Sequence, residues 1–348
     1  MTLESARAPG PTHPVSGGPA HPARPAGRLP AFTDSVWVRF ARRRLGRLLV
    51  SLWVLVTASF LMIHLIPGDP VRAALGPTAP AELVAARRAQ LGLDDPLLVQ
   101  YWHFIKGVLS ADLGTSLSTS LPVSDVIAQR LPSTVELAVY AFVVALALAV
   151  PIGLLMGVVT RGGRARRAEL VFSGSSVVLG SIPEFLLGVG LVYVFGVNLG
   201  LLPVAGRSTP DSYILPVLAL SLGPAAALSR IMRVDMVSVL QSDYIRTARA
   251  KRLTASRIYL RHALPNALTA TITLGGLLLS SLVAGTVLVE NVFAWPGLGT
   301  TIVASIVQKD YPLVQGIVLV YGAGVLLVNT AVDVLLALMD PRSTIRES

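Results

Sequence analysis

Apolar residues arrive in long blocks along this chain, with the charges gathered at the block ends. A helix that crosses a bilayer needs about 20 mostly apolar residues to traverse about 30 Å of hydrocarbon. Residues 48–66 form the first such block, directly preceded by Arg39, Arg42, Arg43, Arg44 and Arg47. Residues 138–159 form an uncharged second block, and residues 170–195 a third, interrupted only by Glu184. The fourth, residues 214–228, is shorter and extends past Arg230 and Arg233 if both side chains snorkel to the interface. Residues 267–289 carry no charge, and residues 313–339 carry only Asp333. The pattern predicts an all-α polytopic membrane protein with six transmembrane helices.

The segments between the blocks divide the chain. Residues 1–38 are rich in Pro, Gly, Ala and Arg, which predicts a disordered tail rather than a folded unit. No apolar core appears before about residue 48, so this tail does not resemble a secretory signal peptide. The first helix is assigned to 39–67. Residues 68–132 mix both charge signs with proline-rich turns and are expected to form a small ordered subdomain. Within it, residues 79–90 read as a short helix and 92–96 as a turn. Ser133 is placed to cap the second span, with Glu136 three residues on completing a capping box. Residues 133–340 then hold the other five helices as a core unit, and 341–348 form a short tail.

Charge placement orients the bundle. The chain is 53% hydrophobic and 14% charged, against about 25% charged in soluble domains, so much of its surface must face lipid. The net charge of +10 is not spread as a phosphate-binding surface would be, and nucleic acid is not expected as a partner. The arginines before the first span, Arg161, Arg164, Arg166 and Arg167 after the second, and the basic run between the fourth and fifth fall on one side of a six-helix topology. Arg342 and Arg346 join them, whereas the loops at 196–213 and 290–312 hold only Arg207 and Lys309. The positive-inside rule makes that side cytoplasmic, with both termini inside and residues 68–132 outside. The absence of cysteine removes disulfides, thiolate metal sites and cysteine nucleophiles.

Residues 243–266, DYIRTARAKRLTASRIYLRHALPN, stand out among the cytoplasmic segments. They are basic and amphipathic, place Ala248 and Ala250 on a helix surface, and stop at Leu264-Pro265, where a proline suits the start of the next helix. A positive-inside loop touching anionic headgroups would account for the charge alone; a short helix lying across the base of the bundle also accounts for the length and the proline stop.

This spacing resembles the "EAA" loop of ABC importer permeases: an acidic-Ala-Ala start, a glycine six residues on, and Leu-Pro thirteen after the glycine. Arg246, Thr247 and Ala248 occupy the first three positions, Arg252 the glycine position, and Leu264-Pro265 the end. Other stretches are similar to the dipeptide and oligopeptide (DppB/OppB-like) branch. These are Pro67-Gly68-Asp69-Pro70, Leu91-Gly92-Leu93-Asp94-Asp95-Pro96, Gln100-Tyr101, Asp112-Leu113-Gly114-Thr115-Ser116, and Arg130-Leu131-Pro132 with Thr134 and Glu136-Leu137. Further on stand Glu290-Asn291-Val292-Phe293-Ala294-Trp295-Pro296-Gly297-Leu298-Gly299, Asp310-Tyr311-Pro312 and Asp340-Pro341-Arg342. Two departures are evident: Arg252 for the usual glycine, and Ala111 for the glycine before Asp112.

The resemblance implies the type I ABC importer permease fold and a peptide-importing function. It also implies four kinds of partner: a second homologous permease, two ATPase subunits that bind ATP and Mg, an extracytoplasmic binding protein, and the lipid bilayer. The helix around 246–262, with Arg246, Thr247, Ala248, Arg249, Ala250, Arg252, Leu264 and Pro265, would seat on an ATPase. No G-x-x-x-x-G-K-[ST] phosphate loop occurs in the chain, so hydrolysis is assigned to the partners and this chain is expected to be non-catalytic, without a cofactor of its own. Nickel and glutathione permeases share these motifs, which leaves the substrate open among peptides, glutathione and nickel. A stand-alone secondary transporter or a membrane enzyme is the reading from another class. The first would show inverted repeats or broken helices, the second a clustered nucleophile, base or metal set, and neither signal is present in the sequence.

A few single residues remain. Glu184, after Pro183, costs at least about 2.5 kcal/mol at mid-membrane depth, so it should face a cavity or a partner. It reads equally as a wall of the translocation path, near a peptide's amino terminus, and as a structural feature, either a polar contact with the second permease or a protonated side chain. Asp333 is expected to pair with a cytoplasmic-side arginine. Pro151 and Pro183 can kink their spans, and Gly153 with Gly157 would permit close helix contact. His13, His21, His64, His103 and His262 show no metal-ligand spacing.

Overall fold

The computed structural model describes residues 36–65, 69–76, 78–90, 92–163 and 165–339. The expected tails, Pro67, Gly68, Leu91, Arg164 and Asp340-Pro341-Arg342 lie outside these. Among the described residues the chain is all helical, and a lone bridge between Thr115 and Pro122 is the one strand-like pairing.

Helix α1 (Val36–Leu65) is followed by three short helices, α2 (Pro70–Leu75), α3 (Ala81–Gln90) and α4 (Leu97–Leu109). Asp69 starts α2 by accepting from the Val71 and Arg72 amides, and its carboxylate also receives Arg88 from α3. Burial alone would raise its pKa; the Arg72 amide, the Arg88 guanidinium and the Val71 amide outweigh that and hold it below the usual value. Helix α5 (Val123–Val159) contains 37 residues, about 56 Å of helix, well beyond the thickness of a hydrocarbon core. It starts ten residues before the expected cap at Ser133, with Pro122 at its N-cap position, and runs straight through Pro132. Ser133 and Glu136 therefore cap nothing. Arg207 donates to both, and the Tyr213 hydroxyl donates to Glu136 as well.

The third apolar block is not one helix. Helices α6 (Arg166–Ser181) and α7 (Glu184–Leu191), the latter continued by a π-helical turn over Val192–Asn198, meet at 98°. Pro183 causes the break: it lacks an amide hydrogen and forces the residue before it out of the α region, and Ile182 is accordingly extended at φ −80°, ψ 122°. Helix α8 (Ile214–Leu240) is much longer than the block that announced it and carries Arg230, Arg233 and Asp235. Arg233 does not snorkel; it donates to Thr160 and pairs with Glu169. After α9 (Asp243–Ala250), helix α10 (Leu264–Val292) is entered through a π-helical turn over Arg257–Ala263, and α11 (Leu298–Val307) and α12 (Tyr311–Met339) complete the chain. Among the described residues, five helices are long and apolar enough to cross a membrane, and the bent α6–α7 pair makes up to six.

The core is built on α5 against α8. Gly153 and Gly157 lie on the contact: a Cβ on either would fall 2.5 and 2.7 Å from the Met232 and Met236 Cβ atoms respectively. Small residues four apart thus form a groove that receives two methionines four apart, the close approach that G-x-x-x-G permits. Helix α10 packs on this pair, and α12 on α10, where Ser280 donates to Asn329. Helix α1 lies outermost against α12. Leu55 fills the space over Gly322, Gln315 donates to the Ser59 carbonyl, and Arg44 pairs with Asp333 as expected of that acid. Large apolar side chains left outside, such as Leu49, Val50 and Trp53 on α1 or Val171 and Val178 on α6, form a surface suited to lipid.

Candidate functional site

Three places hold the chemistry that the sequence pointed to, two of them at opposite ends of α10. At its N-terminal end sits α9. Ile245 and Ala248 are buried in a cluster with Met232, Met236, Leu240, Ile258, Ala263 and Ala267, which anchors α9 beneath α8 and α10. Arg249 donates to the Leu240 carbonyl. The surface turned outward carries Arg246, Thr247, Ala250, Lys251 and Arg252, with Arg246 making only an exposed contact to Asp243. Ala248, expected on the surface, instead packs inward, and α9 ends at Ala250 rather than continuing to Leu264-Pro265. Pro265 falls inside the helical run that becomes α10, where an amide hydrogen is not needed in the first turn.

The end of α9 explains Arg252. Leu253 donates to the Ala248 carbonyl and Arg252 to that of Arg249, the paired bonds of a Schellman cap, with Arg252 at φ 55°. This left-handed position favours glycine, the residue usual there in the resembled family. Ala111 repeats the case at the end of α4, with φ 58° and bonds from Asp112 to Gly107 and from Ala111 to Val108. Helices α10 and α11 close the same way on Ala294 and Lys309.

At the other end of α10 lie two buried carboxylates that sequence reading had treated only as parts of motifs. Glu290 accepts from the Thr134 hydroxyl at 2.7 Å and from the Gly299 and Thr300 amides at 2.7 and 3.3 Å, so it caps the N-terminus of α11. A Cβ on Gly297 or Gly299 would stand 2.3 or 2.8 Å from that carboxylate, the physical reason for glycine at both positions. Trp295 is fully buried and donates to the Ser133 carbonyl, tying the same loop to α5. Asp310 accepts from the Ser116 and Ser118 hydroxyls and the Leu117, Ser118 and Leu313 amides, pinning the loop before α5 onto the start of α12. Burial alone would raise its pKa, but the bonds from Ser116, Ser118 and Leu117 outweigh that and hold the carboxyl below its usual range.

The third place is the break between α6 and α7. Glu184 is not in mid-helix; it opens the first turn of α7, where a negative charge is favoured. It lines a hollow of about 300 Å³ with Ser176, Ser181, Ser281 and Arg230, floored by Gly223 and Pro224 of α8. Arg230 was read from sequence only as a snorkelling charge. The signal that could have found it is the same as for Glu184: an ionisable residue adjoining an apolar block.

Continuous apolar helices and an external apolar surface define a polytopic membrane protein, with a charged hollow at the α6–α7 break. Residues 149–345 match the family model "Binding-protein-dependent transport system inner membrane component", and residues 37–138 match the N-terminal model of the same systems. The chain belongs to this family and is the permease subunit of an ABC importer. It is 40% identical over 304 residues to the glutathione transport system permease protein GsiC of Salmonella choleraesuis strain SC-B67, covering 87% of this chain and 98% of that one. GsiC of Pectobacterium atrosepticum is 41% identical over 305 residues, covering 87% and 97%. Among solved structures, the MetNI methionine ABC transporter in inward-facing conformations aligns at 20% identity with a TM-score of 0.49, over 62% of this chain and 96% of that one.

Proposed function

We propose that this permease carries short peptides into the cell, with glutathione, itself a tripeptide, as the leading substrate. The observation that carries this is identity of about two residues in five along nearly the whole length of permeases named for glutathione transport. The motifs shared with dipeptide and oligopeptide permeases support the wider class. In this reading the chain forms half of the pathway beside a second permease, and a binding protein delivers substrate from outside. Two ATPase subunits bind ATP and Mg and hydrolyse the nucleotide. Both termini and α9 face the cytoplasm, and residues 68–132 face out.

Helix α9 is assigned as the coupling element. Its apolar face is held by the bundle, so a push on its outer face moves α8 and α10 with it. The outer residues Arg246, Thr247, Ala250 and Arg252 make the ATPase contact, while Ala248, Arg249, Leu264 and Pro265 hold the element in place. Glu184 belongs to the pathway wall.

Uptake of labelled glutathione, a labelled dipeptide and nickel by cells with and without the chain tests the substrate. Loss of glutathione or dipeptide uptake is expected; loss of nickel uptake alone would overturn the peptide reading while keeping the architecture.

A further inference from the structure

We propose that Glu184 and Arg230 are a two-point recognition pair for a zwitterionic short peptide, the carboxylate taking the peptide ammonium and the guanidinium its C-terminal carboxylate. This rests on the peptide-permease reading and adds the residues that would confer selectivity within the membrane pathway.

The two side chains line one hollow, yet neither makes an ion pair or hydrogen bond among the described residues. Several other ionisable groups on the long helices do find partners, Asp235 excepted: Arg44 with Asp333, Arg233 with Glu169 and Thr160, and Glu290 with Thr134 and two amides. A charge near mid-membrane costs about 2.5 kcal/mol or more unless it is paired or faces water, so an acid and a base left apart across one cavity mark a wetted, polar path. The remaining lining is mixed: Val177, Ile182, Ala227 and Leu278 are apolar, while the Ser181 and Ser281 hydroxyls, which donate to the Val177 and Leu278 carbonyls, keep lone pairs that can accept from a peptide N–H. A volume of about 300 Å³ is at the small end of ligand pockets, the scale of a peptide of two or three residues.

The chemistry of the ends is specific. Arginine presents a planar fork that matches a carboxylate with two parallel bonds, and a carboxylate in the first turn of a helix is the acceptor that an ammonium requires. Arg230 also borders an adjoining hollow with Asp235, one of whose carboxylate oxygens is buried without a partner. Asp235 makes no ion pair with Arg230 among the described residues, so the guanidinium is left to serve the hollow it shares with Glu184.

The test uses the complete importer in proteoliposomes and initial rates of ATP-driven uptake, each substrate saturating the binding protein. The probes are glutathione, N-acetylglutathione and glutathione glycyl ethyl ester, and the matching free, N-acetylated and amidated forms of dialanine. Glu184→Gln is expected to slow the free peptide about tenfold or more, the scale of one charge-assisted bond, and to leave the N-acetylated form within about twofold of wild type. Arg230→Gln should show the mirror pattern, losing the free peptide and sparing the form blocked at its C-terminus. A structural role would lower all forms alike, and that result, or no change in either variant, overturns the proposal while leaving the peptide reading intact. A wild-type complex that carries neither glutathione nor dialanine removes the reading and this inference together.

Discussion

Asp310→Asn exchanges one oxygen for an amino group at the centre of five hydrogen bonds. One carboxylate oxygen accepts from the Leu117 and Leu313 amides, and an asparagine oxygen can keep both. The other accepts from the Ser116 and Ser118 hydroxyls and the Ser118 amide. Hydroxyls can turn round to accept from the new amino group; the Ser118 amide cannot, and is left facing a donor. Such an orphaned buried donor costs about 1–3 kcal/mol, and the surviving bonds lose their charge assistance, for a total of about 2–4 kcal/mol. Local opening of the loop before α5 should therefore rise by about 30-fold to several hundredfold. Hydrogen exchange of the Leu117 and Ser118 amides in the purified protein reads this directly, and rates within about threefold of wild type would refute the latch. The pH dependence has a definite sign. Because the folded carboxyl titrates below its unfolded value of about 3.9, the latch is fully present above that pH. It is lost only as pH falls through the lower folded value, so loop protection in wild type should be flat from neutrality to about pH 4, and in the variant lower throughout.

Gly153→Ala forces a methyl group onto Met232 and should cost about 1–3 kcal/mol of thermal stability, whereas Gly174→Ala, with open space around it, should cost nothing. Glu290→Gln keeps an acceptor for the Gly299 and Thr300 amides and should lower stability by about 1–2 kcal/mol, while Glu290→Ala orphans them and should exceed about 3, both measured by denaturation of the detergent-solubilised protein. Arg252→Gly relieves a left-handed residue, so it should be neutral or stabilising by about 1 kcal/mol, and Arg252→Val should destabilise. Arg246→Glu and Ala250→Glu alter only the outer face of α9, so they should abolish co-purification of the ATPases while the permease still assembles in the membrane. Retained association in both would show that α9 is not the contact.

Much of this architecture is legible from one sequence because lipid imposes a demand that composition must meet. The blocks at 138–159, 267–289 and 313–339 each fall within one continuous helix, as do the described residues of the first block, 48–65, since a span of that apolarity has no other stable form in hydrocarbon. The G-x-x-x-G pair and the Asp333 ion pair are visible for similar reasons: small residues permit contact, and an acid in an apolar run demands a partner. The helix ends were misread where their signals are missing. Ser133 with Glu136 mimics a cap on a helix that actually starts at Val123, and Arg252 and Ala111 conceal Schellman caps by occupying positions where glycine would have announced them.

What only the tertiary structure decides is which polar groups meet. Glu290 reaches Thr134 across 156 positions and Asp310 reaches Ser116 across 194, separations at which no local pattern exists to be read. The angle between α6 and α7 is likewise invisible: Pro183 forbids a continuous helix, but a proline can yield a mild kink or a right-angle turn, and packing against α8 and α10 selects among them. That turn puts Glu184 at a helix start and opens the hollow it shares with Arg230. The sequence determines what must be buried in lipid, because each apolar block is judged on its own solvent transfer. Partnership among charges depends on pairwise geometry between distant elements, and exists only once the helices have packed.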